Sequence, residues 1–138
     1  MAGNKLKTTA IQTISLDSMS GTDSATVDID FENNPKTGVP ELDGLVAVNF
    51  KITSTSGEED GLSVDAYPRD LYDNTLTTCA NKLDIVDDLS WTDGDIYKYA
   101  IQDLNDRALS LGPAFGYTLD FSLTASGQAD IEVWLTYI

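Results

Sequence analysis

The last quarter of the chain holds two runs in which apolar and polar residues alternate without interruption. Phe115, Tyr117, Leu119, Phe121 and Leu123 alternate with Gly116, Thr118, Asp120, Ser122 and Thr124. Ile131, Val133, Leu135 and Tyr137 alternate with Asp130, Glu132, Trp134 and Thr136. A period of two marks a strand with one buried and one wet face, and a helix would scatter these apolar residues around its circumference. Between the runs lies Ala125-Ser126-Gly127-Gln128, a tight turn with glycine where a positive φ is often needed. Together they predict a long antiparallel hairpin.

The same alternation recurs upstream. Val27, Ile29 and Phe31 alternate with Asp28, Asp30 and Glu32, and the loop Asn33 to Pro40 follows. Val46, Val48, Phe50 and Ile52 share one face of a strand whose other face carries Ala47, Asn49, Lys51 and Thr53. Ser54 to Gly61 reads as a polar hairpin loop, after which Leu62, Val64 and Ala66 resume the pattern until Pro68 ends it. Lys5 to Asp17 is β-like, but the spacing shifts between Ile11 and Ile14, predicting a bulge or a strand that begins after Ile11. The scattered apolar residues between 69 and 93 fit short strands and loops. Ile96, Tyr97, Tyr99 and Ile101 suggest a further strand, and 101–109 also fits a short helix.

This count gives an all-β fold, a two-sheet antiparallel β-sandwich of seven or eight strands, jelly-roll or immunoglobulin-like. Composition agrees: Asp outnumbers Glu 18 to 5, and Ser plus Thr total 26. Short polar side chains bond to local backbone and disfavour helix interiors. The organisation expected is an extended N-terminal segment, residues 1–12, followed by one sandwich domain, residues 13–138.

Charge and absent residue types narrow the function. The chain of 138 residues carries 23 acidic and 8 basic side chains, a net charge of −15, with no histidine and one cysteine. No histidine-based triad or zinc site is possible, and one cysteine cannot form a disulfide within the chain. The negative field repels phosphate backbones, so no nucleic-acid partner is expected. No apolar run is long enough for a membrane helix, and the polar N-terminus lacks a secretory signal pattern. The expectation is therefore no catalytic residue, no metal, no cofactor and no enzyme activity.

Each candidate site has an ordinary alternative. Asp28, Asp30 and Glu32 offer a row of carboxylates to Ca²⁺ or form the wet face of a strand. Glu58-Glu59-Asp60, Asp93-Gly94-Asp95 and the group Asp84, Asp87 and Asp88 lack the spacing of a Ca²⁺-binding helix–loop–helix. Carboxylate pairs suited to sugar hydrolysis are unavoidable among so many acids. Cys79 has no activating neighbour in sequence and reads as a small buried hydrophobe. Trp91 and Trp134 offer stacking surface to sugars or proteins. Trp134 falls on the polar phase of its strand, where another segment or a neighbouring subunit would cover it.

The terminal pair Tyr117 to Leu123 and Ile131 to Tyr137, with the acidic Asp/Thr/Ser-rich surface, resembles the small β-sandwich virion proteins of tailed bacteriophages. These are capsid decoration (cement) proteins and head or tail accessory proteins. The resemblance implies a structural protein that binds the outside of a phage head and stabilises it by non-covalent contacts. It implies the major capsid protein or other virion proteins as partners, a homo-oligomer such as a trimer, and residence in the virion after synthesis in the host cytoplasm. Protein contacts are expected at Lys5, Lys7 and Ile11 of the N-terminal segment, and at Trp134 and Tyr137. The competing reading is a carbohydrate- or Ca²⁺-binding β-sandwich module.

Overall fold

A computed structural model describes residues 7–31, 45–69, 83–100 and 116–137. Among them are nine strands: β1 (Lys7–Thr8), β2 (Gln12–Asp17), β3 (Asp23–Asp30), β4 (Leu45–Gly57), β5 (Leu62–Arg69), β6 (Leu83–Leu89), β7 (Ile96–Ala100), β8 (Gly116–Leu123) and β9 (Gly127–Tyr137). The short helix considered for 101–109 lies outside the described residues. One sheet has five strands, with β9 between β4 on one side and β1 and β2 on the other, and with β7 beyond β4. The second sheet has four strands in the order β3-β8-β5-β6.

The pairings have a simple logic. β2 pairs with β9, β3 with β8, β4 with β7 and β5 with β6, all antiparallel. The chain is thus an antiparallel double ribbon, β2 to β5 against β6 to β9. Successive rungs fall in opposite sheets, and β4·β9 and β5·β8 contacts close the roll. This is a jelly roll rather than an immunoglobulin-like sandwich.

The roll corrects the terminal hairpin. β8 and β9 are consecutive and joined by a turn of only three residues, yet they lie in different sheets. Both have their edges filled by other partners: β3 and β5 flank β8, while β2 and β4 flank β9. Period-two patterning fixes which face is buried, not which strand lies alongside.

The faces themselves match the pattern. Leu119, Phe121 and Leu123 of β8 meet Ile131, Val133 and Leu135 of β9 in one buried core. Phe50 of β4 and Phe121 of β8 contact edge to face across the sheets, with ring centroids 6.0 Å apart. Phe31, just past β3, stacks on Tyr137 at 4.4 Å and meets the edge of Tyr117 at 6.0 Å.

Three boundaries differ from the sequence reading. β4 continues through Ser54 to Gly57 because its register with β9 is held to Gly57↔Gly127, across an irregularity between Ser54 and Ser56. Only residues 58–61 are left for the loop. At the other end of β4, a register shift between Leu45 and Ala47 puts Leu45, not Val46, among the buried residues. Pro68 does not end β5, whose pairing with β8 runs on through Pro68↔Tyr117 to Arg69↔Gly116; among the described residues Pro68 has no strand partner on its other side, where a residue without an N–H is tolerated.

Candidate interaction surface

Of the N-terminal segment, the described residues from Lys7 onward are laid down on β9. Lys7 and Thr8 pair with Tyr137 and Thr136, and Gln12 pairs with Val133. Between these points the first chain spends three residues and β9 two, which makes the bulge read from the spacing at Ile11. Thr9 bridges the gap, its N–H donating to the Leu135 carbonyl at 3.0 Å and its hydroxyl accepting from the Leu135 N–H at 2.9 Å. The extra residue throws Ile11 outward, where it is 59% exposed.

The five candidate contact residues therefore occupy distinct settings. Lys5 lies outside the described residues. Lys7 is exposed and holds its ammonium 5.7 Å from the centre of the Tyr137 ring, within cation–π range. Tyr137 itself is a core residue, stacked on Phe31. Trp134 is half-buried on the outer face of the five-stranded sheet, and its strand position falls opposite the Ala10–Ile11 bulge. On its other flank sits Asn49, buried on a face read as wet. The Asn49 amide donates to the Trp134 carbonyl at 3.3 Å and to the Thr136 hydroxyl at 3.0 Å.

The other Trp is placed differently. Trp91 is buried, and its indole N–H donates to the Ser54 hydroxyl at 2.8 Å. That leaves it no face for stacking on a sugar. Cys79 lies outside the described residues.

Several of the described acidic groups are engaged in structure; Glu32 lies outside the described residues. Asp28 and Asp30 both grip Arg69, at 3.1 and 2.8 Å. The Arg69 side chain is only 2% exposed, and it also donates to the Thr118 hydroxyl at 3.3 Å. Thr118 in turn donates to Asp28 at 2.7 Å. Asp28, Asp30 and Thr118 come from β3 and from β8, the strand between β3 and β5. Sequence reading passed over Arg69 because it stands just after a proline taken as a strand end, about forty positions from its carboxylates.

At the end of the sandwich where the turns are short, carboxylates brace the backbone. Asp93 accepts from the Ser54 N–H at 2.8 Å, and Asp17 from the Met19 N–H at 3.1 Å. Asp60 accepts from the Gly61 N–H at 2.8 Å and from the Ser90 hydroxyl at 2.7 Å. Among the described residues no group of three or more acidic or thiol side chains is placed to hold a metal ion. None of the described helices or strands includes a helix long and apolar enough to cross a membrane.

Burial is the larger cause of the shifts at two tyrosines. It pushes the Tyr117 hydroxyl up to about 12 from an ordinary value of 10. Tyr99 is also raised, by partial burial and then by the neighbouring Tyr97.

With this geometry in view, the fold can be set beside solved structures. A structure of infectious bursal disease virus, Gx strain, superposes with a TM-score of 0.55 at 12% identity, covering 97% of this chain and 32% of that one. The VP2 subviral particle of infectious bursal disease virus gives 0.54 at 12% identity, over 97% and 33% of the two chains. This chain therefore spans about a third of each of these two chains. The likeness at such identity is one of fold. No family model matches the sequence, and no curated protein matches it.

Proposed function

We propose that this chain is a structural protein of a virus particle, working by contact with other proteins and not by turnover. One observation carries the reading. The described residues form a jelly roll, and the likeness to a chain of the infectious bursal disease virus VP2 subviral particle covers 97% of this chain. The finer reading is a decoration protein bound non-covalently to the outside of a phage head, contacting the major capsid protein and copies of itself. Two features favour an outer position. The carboxylate coat keeps free copies soluble and apart. Among the described residues the two sheets bury their inner faces against each other in one core.

Particles purified on a density gradient test both levels. Mass spectrometry should find the chain at a fixed ratio to the shell protein. Moderate urea or high salt should then release it while electron microscopy shows intact shells. Absence from purified particles would sink the virion assignment. Release only when the shell itself falls apart would sink the decoration role and leave an integral shell component.

A further inference from the structure

The acid coat has a gap. β4 and β7 are neighbours, and their 13 and 5 residues include no carboxylate, in a chain with 23. The charges they do carry are Lys51 and Lys98. β7 is also the edge of its sheet: among the described residues it pairs with β4 and with no other strand. An edge strand presents unpaired N–H and C=O groups, and proteins usually blunt it with bulges, charges or cover.

The other edges show such protection. β6 carries Asp84, Asp87 and Asp88, its register with β5 is twice irregular, and Asp88 adopts a positive φ of 54°. β3 carries Asp23, Asp28 and Asp30, and the Asp28 carbonyl is taken by the Gln12 side chain at 3.1 Å. The edge formed by β1 and β2 is broken by the bulge at Ile11. Among the described residues β7 has no bulge and no carboxylate, and its one charge is Lys98. Its register with β4 is regular from Lys51↔Ile96 to Ala47↔Ala100. Its inner side is fixed by rings, Tyr97 and Tyr99 stacking on Phe50 at 5.8 and 5.7 Å. Its outer side presents Ile96, 62% exposed, beside exposed Lys98.

We infer that the edge of β7 is a strand-addition site for an extended acidic segment of a partner protein. A rigid edge gains affinity because little ordering is lost on binding. Lys98 selects the partner. Symmetric antiparallel pairing of two β7 strands would set Lys98 against Lys98, and like charges directly opposite are unfavourable. Among the described residues the chain's own acidic edges are bulged or occupied, and none of them offers a second copy a regular strand to pair. A strand with a carboxylate opposite Lys98 and an apolar residue opposite Ile96 satisfies both positions.

The test uses the full ¹⁵N-labelled chain and two capped seven-residue peptides, Thr-Val-Thr-Glu-Thr-Val-Thr and its counterpart with lysine in place of glutamate, so that the charge can face Lys98 while a valine two residues away faces Ile96. Non-specific attraction to a chain of charge −15 favours the lysine peptide, so the opposite preference is diagnostic. The glutamate peptide should shift the amides of residues 96–100 and bind at least tenfold more tightly. Lys98→Glu, at an exposed position, should reverse the preference. Shifts elsewhere, equal affinities, or no binding at millimolar peptide would overturn the proposal. So would concentration-dependent shifts of the same amides without peptide, which would make the occupant a second copy. None of these outcomes bears on the virion assignment, which is read from purified particles.

Discussion

On the outer face of the four-stranded sheet a charged side chain ties β5 to β3 across β8. On the outer face of the five-stranded sheet a neutral amide ties β4 to β9. Arg69 and Asn49 are both buried polar residues on faces that the alternation assigns to water. Arg69 answers two carboxylates and a hydroxyl from two strands. Asn49 answers a carbonyl and a hydroxyl from one. The difference follows from the neighbours. Asp28 and Asp30 stand two residues apart on one face, where they repel unless a cation with several donors lies between them. The Asn49 face has no acid on its own strand, so an amide suffices.

Removing the charged clamp should have the larger effect. Arg69→Met strips the cation from Asp28, Asp30 and Thr118. The carboxylates are each 56% exposed, so the loss should fall below that of a fully buried pair. About 2–3 kcal/mol is expected, read as a lower urea midpoint at unchanged slope. Arg69→Lys should recover part of it, since one ammonium cannot reproduce the fork. A midpoint within error of the parent would show that the clamp is ornamental.

Alkaline unfolding compares the sheets through their tyrosines. Tyr117 of the four-stranded sheet is pushed up to about 12 by burial, whereas an unfolded tyrosine ionises near 10. Between those values the unfolded chain releases a proton that the folded chain keeps, so stability falls as pH rises. The contribution is intact below pH 10 and is lost as pH passes 12; two pK units correspond to about 2.7 kcal/mol. Tyr117→Phe should therefore flatten the alkaline limb of the stability profile. Tyr99→Phe, in the five-stranded sheet and more open to solvent, should flatten it less. Equal slopes in the two variants would contradict the burial difference.

These residues also show what the sequence could and could not reveal. Val27, Ile29 and Phe31, the odd-numbered residues 117 to 123 and the odd-numbered residues 131 to 137 were legible as buried, because alternation reports directly on the side of the pleat. The bulge near Ile11 was legible as a break in that spacing. Strand neighbours were not: β8 and β9 look like a hairpin, and only competition among all the edges sends them to different sheets. Arg69 was hidden for a related reason. A residue forty positions away does not alter local spacing, so a cross-strand ion pair leaves no periodic trace. Asn49 looked like any polar-phase residue, and nothing local distinguishes a solvated amide from one that bonds two groups of the next strand.

Asn49→Ala tests the neutral clamp, and its effect should be smaller than that of Arg69→Met. It removes two neutral hydrogen bonds, at about 1 kcal/mol net between them, and leaves no charge stranded. A loss as large as that of Arg69→Met would mean that the two faces do not differ as their chemistry indicates.

The smallest effect on folding is expected beside it, at Trp134. Its side chain is half-buried outside the core, its backbone lies between β4 and β2, and the Asn49 bond uses its carbonyl rather than its indole. Trp134→Ala removes only part of the burial energy of a core tryptophan, so a loss near 1 kcal/mol is expected, well short of the 3–5 kcal/mol of a core site. Its effect on association is a separate quantity, because half-exposed tryptophans beside an exposed aliphatic residue such as Ile11 are favoured at protein contacts. Light scattering and particle co-sedimentation on the folded variant read that quantity independently of stability. Weakened particle binding with the urea midpoint nearly unchanged would place the contact on the outer face of the five-stranded sheet. Unaltered binding would move it to another face, without disturbing the contrast between the Arg69 and Asn49 clamps.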